Sequence, residues 1–478
     1  MFHKVLLFSI LLFAFALCKS TNENKSIAFE TDFVYVSSSG NDNNSGLTED
    51  KPVKTISKAL KLRKNILLRK GDVFYENITL NGHNLGAYGK GDKPKLCGWK
   101  YLKNVNWEKY GNNIWRVNLD TIGYTGRVKS SDPFHNDVGL IRNVDNGEIY
   151  GVKCQCLYKK GCIFKSTTAQ MNTWLQHDMD FAQTSVYGKG KLKGSDFKYL
   201  YLYYSKDPNK LHLAVSTHGS GITADSATID GISIEGFSCH GIAAGSNIKI
   251  TNCDISYIGG AQQVGYQLWV RYGNGIEFYI SRSKENGYVA HNNISHTFDC
   301  GTTIQGSDHL GAYPTNIVIE HNKIYNCRQA FEYFLNNDDK NTGDKYDCID
   351  CAFRKNICID NGNNGFGTNE TRNGQILSYQ NDYVSSIKIE DNIFIGGPSL
   401  YFAIHPENIR FGKGNKFYLT EGTTLWSPYQ ASGRIKYYKK NISAIHKKLE
   451  DKKVDIKGVK LVRVSYKRLN RLINKFKR

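Results

Sequence analysis

A chain of 478 residues can hold two or three ordinary domains or one extended repeat structure. It is rich in Gly (45) and Tyr (30) and poor in Pro (8), which suits many short strands joined by turns. The net charge of +19 is uneven: residues 434–478 hold 17 Lys or Arg against 3 Asp or Glu, so most of the excess sits in the last tenth.

The chain opens with "MFHKVLLFSILLFAFALCKS", a short basic start, an apolar run and then small or polar residues. The run is too short for a membrane span and no second one follows, so residues 1–20 read as a signal peptide and the protein as exported. "ALC" ending at Cys18 offers a signal-peptidase site; a lipid-anchored Cys18 is the alternative, disfavoured by the bulk of Leu17. Without Cys18, eleven of the twelve cysteines remain, an odd number. Cys154 with Cys156 and Cys348 with Cys351 are the close pairs available to an exported protein. The Cys-x-x-Cys at 348–351 has no second copy, which argues against zinc, and the cysteines in strand-like repeats read as buried thiols.

Next come a strand from "FVYV", the polar stretch "GNDNNSGLTED", and an amphipathic helix over about 53–62 with Pro52 near its first turn. The polar stretch lacks the regular spacing of a calcium loop and reads as a turn. Residues 100–215 carry "NNIWRVNL" and "KYLYLYYSKDP" without any repeat, and read as an inserted β-rich subdomain.

From about 216 to 420 a repeat appears. "SNIKITNCDIS", "NGYVAHNNIS", "TNIVIEHNKIY", "FRKNICID" and "SSIKIEDNIFI" are alternating strands that run into a common site, occupied by Cys253, Asn292, Asn322, Asn356 and Asn392, with Asn415 a sixth member. The spacings vary, as a coil of fixed cross-section with loops of different size at its corners requires. Asn at a sharp bend can adopt the left-handed conformation and bond the next rung, so this column is structural. The outline resembles the right-handed parallel β-helix repeat proteins of the pectate-lyase-like superfamily. The resemblance implies an all-β solenoid in which residues 30–99 form the N-terminal cap and first coils, with a short helix plugging the open end. After residue 420 the ladder stops, and residues 421–478 read as a basic C-terminal cap or tail. There Leu469, Leu472, Ile473 and Phe476 are spaced as on an amphipathic helix, expected to cap the last coil.

A second strand in each coil supplies the candidate chemistry. "GIAAG" at 241, "GIEFY" at 275, "GTTIQ" at 301, "AFEYF" at 330 and "GFGTN" at 365 align. Period-two alternation turns Ile276 and Phe278 inward, with Thr302, Ile304, Phe331 and Tyr333. Glu277, Tyr279, Thr303, Gln305, Glu332, Phe334, Gly367 and Asn369 then face outward. Glu277 and Glu332 stand two rungs apart across Thr303, roughly 9–10 Å, near the wide carboxylate spacing of inverting glycosidases. Arg271, Asp299 and Arg328 precede these strands, and His291 and His296 lie in the connecting "HNNISHTFDCG". Glu277, Asp299, Glu332, His296 and Tyr279 are the catalytic candidates; Arg271, Gln305, Arg328 and Asn369 are the substrate-binding ones. His291 also fits a bend residue.

The resemblance implies a polysaccharide-binding groove and leaves the reaction open. Lyase or epimerase chemistry on uronate residues is favoured by the basic tail, which would recruit a polyanion. Arg271, Arg328 and Gln305 would neutralise the uronate carboxylate, and Tyr279 or His296 would act as base. A calcium cofactor is compatible with that chemistry, but no ligands stand out. A glycoside hydrolase using Glu277, Asp299 or Glu332 is the second reading, and a non-catalytic polysaccharide-binding or surface-assembly protein the third. The expected partner is an acidic polysaccharide rather than nucleic acid, with peripheral membrane or lipopolysaccharide contact through the tail.

Overall fold

The computed structural model describes residues 33–62, 65–120, 137–147, 149–150, 153, 177–183, 198–216, 219–261, 271–307, 311–336, 343, 345–363, 373–378, 383–428 and 433–477. The apolar leader, Cys18, Cys154, Cys156 and Asn369 lie outside them.

Strands dominate, and they assemble into three large parallel sheets of nine, ten and ten strands beside two small antiparallel ones. The chain visits the large sheets in rotation. Thr228–Asp230, Ser233–Glu235 and Ile242–Ala244 belong to the first, second and third sheet, and Ile248–Thr251, Asp254–Ile258 and Ile276–Tyr279 repeat that order one rung on. Such rotation is what stacked coils require, because each strand pairs with its counterparts in the coils before and after. Neighbouring strands lie ~4.8 Å apart.

Alternation decides what faces the interior. In the third sheet Ile222, Ile242 and Ile276 stand in register, followed by Thr302, Phe331 and Ile376. All are buried and, Thr302 apart, belong to one continuous apolar core. At its start lies the helix Ile56–Lys61, N-capped by Thr55, whose side chain accepts from the Lys58 amide; Ile56 and Ala59 enter the core. The polar stretch before it is a turn, with Asp42 accepting from the Lys54 and Thr55 amides.

The asparagine column forms as a buried ladder. Asn292, Asn322 and Asn356 each donate through Nδ2 to the Oδ1 of the next Asn, at 2.9, 3.1 and 3.2 Å, and Asn392 donates to Asn415 at 3.1 Å. Each Oδ1 also accepts the preceding rung's backbone N–H, including that of Cys253 from Asn292. The left-handed residue is not the Asn itself but the one before it: Asn252, His291, His321, Lys355 and Asp391 have φ between 54° and 59°. The ladder Asn therefore turns its amide inward to bond the coil, while its exposed predecessor takes the bend.

Between Trp99 and Ser216 the chain leaves the coils. Trp99–Tyr101, Ile141–Asn143, Ile149–Tyr150 and Leu213–Ser216 form one antiparallel sheet, and Glu108–Gly111, Ile114–Asn118, Phe181–Gln183 and Tyr199–Tyr203 the other. This region has its own apolar cluster around Trp107, Phe181 and Leu202. It is fastened to the coils through buried Glu235, which accepts from Trp99 Nε1 (2.8 Å), Arg142 (2.6 Å) and Lys95 (2.9 Å).

The far end of the core is closed by a different segment from the one the sequence suggested. Helix Ile442–Asp451 contributes Ile445 and Leu449 to the main core, joined by Val454 and Ile456. The terminal helix Tyr466–Lys477 instead lies outside the second sheet, against Ile359, Ile395 and Tyr325. The described cysteines are buried free thiols, Cys348 and Cys351 among them.

Candidate active site

The third sheet sets a column of side chains in register: Ala243, Glu277, Thr303, Glu332, Leu377. Parallel in-register pairing therefore puts two carboxyls on one wall, two rungs and hence ~9–10 Å apart. Tyr279, Gln305 and Phe334 form the next outward column. The rung after Glu332 is Gly374–Ser378, not "GFGTN", so Leu377 takes the place expected for an outward polar residue.

Three donors converge on Glu277. Asn274 Nδ2 (3.1 Å) and Gln305 Nε2 (2.9 Å) reach Oε1, and His240 Nε2 lies 3.0 Å from Oε2. His240 Nδ1 accepts from the Asn274 amide at 3.4 Å, so the ring proton is on Nε2 and points at the carboxylate. The His240 ring also meets the edge of Tyr272, with centroids 5.1 Å apart.

Glu332 has the opposite surroundings. It is buried, and burial together with the negative charge of Asp299 pushes its carboxyl up to about 8. The Cys300 thiol, itself held protonated by burial and by Glu332, lies 3.4 Å from Oε2. Asp299 is more exposed, with Arg328 Nη1 3.8 Å from its Oδ1, and Arg328 Nε donates to Asn373 at 3.1 Å. Oxygens of Asp299 and Glu332 and the Cys300 sulfur lie within 4.8 Å of one another. Thr303, between the two glutamates, is fully buried and its Oγ1 has no hydrogen-bond partner among the described residues. One wall thus carries a neutral acid, a carboxylate fed by three donors, and an unengaged hydroxyl between them.

Other candidates go elsewhere. His296 belongs to strand Asn293–Thr297 of the second sheet, stacks on Tyr257 at 4.6 Å and meets Asn326 through Nε2 at 3.2 Å. Its φ of 53° marks it as a bend residue, and burial with nearby Lys477 pushes its imidazole down to about 4. It is not on the carboxylate wall. Arg271 is buried, lies over the Phe298 ring at 5.2 Å and donates to the Lys153 carbonyl at 2.5 Å, close to the buried Lys153–Asp137 ion pair. It ties the coils to the antiparallel region. His291 stacks on His321 at a bend. Tyr279 stands partly exposed at the edge of the carboxylate wall.

His240 and Cys300 were missed. Both lie in the column one residue before the aligned strands, which reads His240, Asn274, Cys300, Gln329 down successive coils. Extending the alignment of "GIAAG", "GIEFY" and "GTTIQ" by one position would have found them.

No family model matches the chain, and no curated protein is significantly similar to it. Among solved structures it is similar to the complex of XylC with xylose (14% identity, 81% of this chain and 69% of that one, TM-score 0.42). It is also similar to a structure titled "Glycoside hydrolase" (11%, 80% and 96%, TM-score 0.39). A third is the GH136 lacto-N-biosidase from Eubacterium ramulus (12%, 90% and 68%, TM-score 0.36). All three likenesses are distant.

Proposed function

We propose that the protein is an exported, carbohydrate-active enzyme of right-handed β-helix type that hydrolyses glycosidic bonds on the wall formed by Glu277, Thr303 and Glu332. The carrying observation is the contrast between the two carboxyls: Glu332 is buried beside Asp299 with its proton retained to about pH 8, whereas Glu277 accepts from Asn274, Gln305 and His240. Unlike surroundings for two carboxyls on one wall are how acid and base roles are divided.

Glu332 then protonates the glycosidic oxygen as the bond to the anomeric carbon breaks. Glu277 takes a proton from the water that attacks that carbon from the opposite side. Separation by two rungs leaves room for this water and favours inversion of anomeric configuration. Asp299 holds the proton on Glu332, and Arg328 orients Asp299.

Uronate lyase or epimerase chemistry has less support. Of the groups expected to serve it, Tyr279, Gln305 and Arg328 stand near the carboxylates, while His296 and Arg271 do not. Incubation with a panel of neutral and acidic glycans, read by reducing ends, near-ultraviolet absorbance and anomeric proton signals, separates the readings. New reducing ends of inverted configuration, lost in Glu277→Gln and in Glu332→Gln, are expected. An unsaturated product absorbing in the ultraviolet, or turnover that survives both substitutions, overturns the proposal.

A further inference from the structure

We propose that the outer face of the terminal helix, with the lysines beside it on the second sheet, is a docking surface for an acidic polysaccharide, on a different wall from the carboxylates. The identity of the polymer rests on the carbohydrate reading above; the surface itself rests on packing and charge.

Helix Tyr466–Lys477 has 12 residues and is therefore ~18 Å long. It runs across second-sheet rungs from Tyr418 and Val462 to Tyr325, and Leu469, Leu472, Ile473 and Phe476 are spent on that contact. Its far end is pinned: Lys477 Nζ meets Asp360 at 3.1 Å, and Lys323 Nζ donates to the Lys477 carbonyl at 3.3 Å. What remains toward solvent is cationic. Lys467, Arg471 and Lys475 are exposed at successive i, i+4 positions with Arg468 beside them. No acidic residue follows Asp455 in the chain, and among the described residues no carboxylate pairs with these four side chains. Close by, Lys416 and Lys460 are exposed and directly in register on neighbouring strands, a like-charge pairing that destabilises a sheet.

Like charges held this close by a rigid frame are relieved by a polyanion. The apolar face of the helix is turned to the second sheet, with Leu469 buried and Leu472, Ile473 and Phe476 half-buried; exposed Tyr466 alone is far short of the apolar face that an interfacial membrane helix inserts between lipids. Exposed side chains along 467–475 are Lys, Arg and Asn, without the successive aromatic platforms on which single-stranded nucleic acid stacks. A flexible carboxylated glycan fits this face best.

The test compares binding of the full chain to a soluble polyuronate, neutral dextran, vesicles of phosphatidylcholine with phosphatidylglycerol, and single-stranded DNA, each across a salt series. Polyuronate is expected to bind at low salt and release at high salt. Lys467→Glu with Arg471→Glu and Lys475→Glu should weaken it by about tenfold or more with an unchanged melting temperature. A Gln triple variant provides the same comparison with less repulsion should the Glu triple fold poorly. Glu277→Gln with Glu332→Gln should leave this binding intact, which separates failure of the docking surface from failure of the catalytic reading. Undiminished binding in both triple variants, equal binding of dextran, or tighter binding of vesicles or DNA overturns the proposal.

Discussion

Glu332 links burial to both stability and rate. Its carboxyl titrates at about 8 in the folded chain against an ordinary 4.5. The folded state therefore holds a proton that the unfolded state has released across that window, and stability falls as pH rises from about 4.5 to 8. Glu332→Gln supplies a neutral side chain of similar shape and removes the slope. Melting temperatures recorded between pH 5 and 8 should decline in the parent and stay flatter in the variant; parallel curves would contradict the assigned environment. The same proton predicts that glycan turnover falls above about pH 8. At Glu277 the counterpart is His240, which donates through Nε2 and acts by positioning. His240→Ala should lower kcat by about 10²-fold with little change in KM, and His240→Gln, which keeps a donor at the tip, should recover part of it. Equal losses in both variants would mark the ring as mere packing.

At the level of strands and bends, the asparagine ladder is the clearest case of sequence dictating structure. Asn322 is 1% exposed; its Nδ2 donates to the Val289 and Glu320 carbonyls and to Asn356, and its Oδ1 accepts from Asn292. Asn322→Ala strands these groups without water and should cost about 3 kcal/mol. Asn415→Ala, at the ladder's end, should cost less, as chemical unfolding of the two variants would show. The register of Glu277, Thr303 and Glu332 was legible because one residue of slip would turn Ile276, Ile304 and Phe331 to solvent. Three features were not legible. Loop length between coils is unconstrained, so Gly374–Ser378 rather than "GFGTN" became the next rung. His296 stands next to the carboxylates in sequence, but its left-handed bend belongs to the second sheet. Arg271 precedes a wall strand yet is drawn to Lys153 of the antiparallel region, a contact that no local pattern announces.

Across the whole molecule, the open ends of the core decide where the chain can be cut. From the sequence, the segment 421–478 reads as a basic cap or tail whose terminal helix would close the last coil. It instead supplies the last strand of the second sheet, Val459–Arg463 on Asn415–Leu419, and the helix that seals the core with Ile445 and Leu449. A chain ending at residue 433 removes the layer of Ile445, Leu449, Val454, Ile456 and Val459 from the core to which Phe417, Leu419 and Leu425 belong. A chain ending at 465 keeps that layer and uncovers the outer surface of Ile359 and Ile395. The shorter chain should therefore aggregate or bind a hydrophobic dye in its native buffer. The longer one should melt cooperatively at a somewhat lower temperature, since its loss is confined to one helix face. Leu449→Asp tests the seal without truncation: a carboxylate in that position should destabilise by about 4 kcal/mol, read from urea unfolding. Were the two truncations to melt alike, the core would have to be closed by something other than helix Ile442–Asp451, and the charge-reversed helix would no longer be the right control for polymer docking.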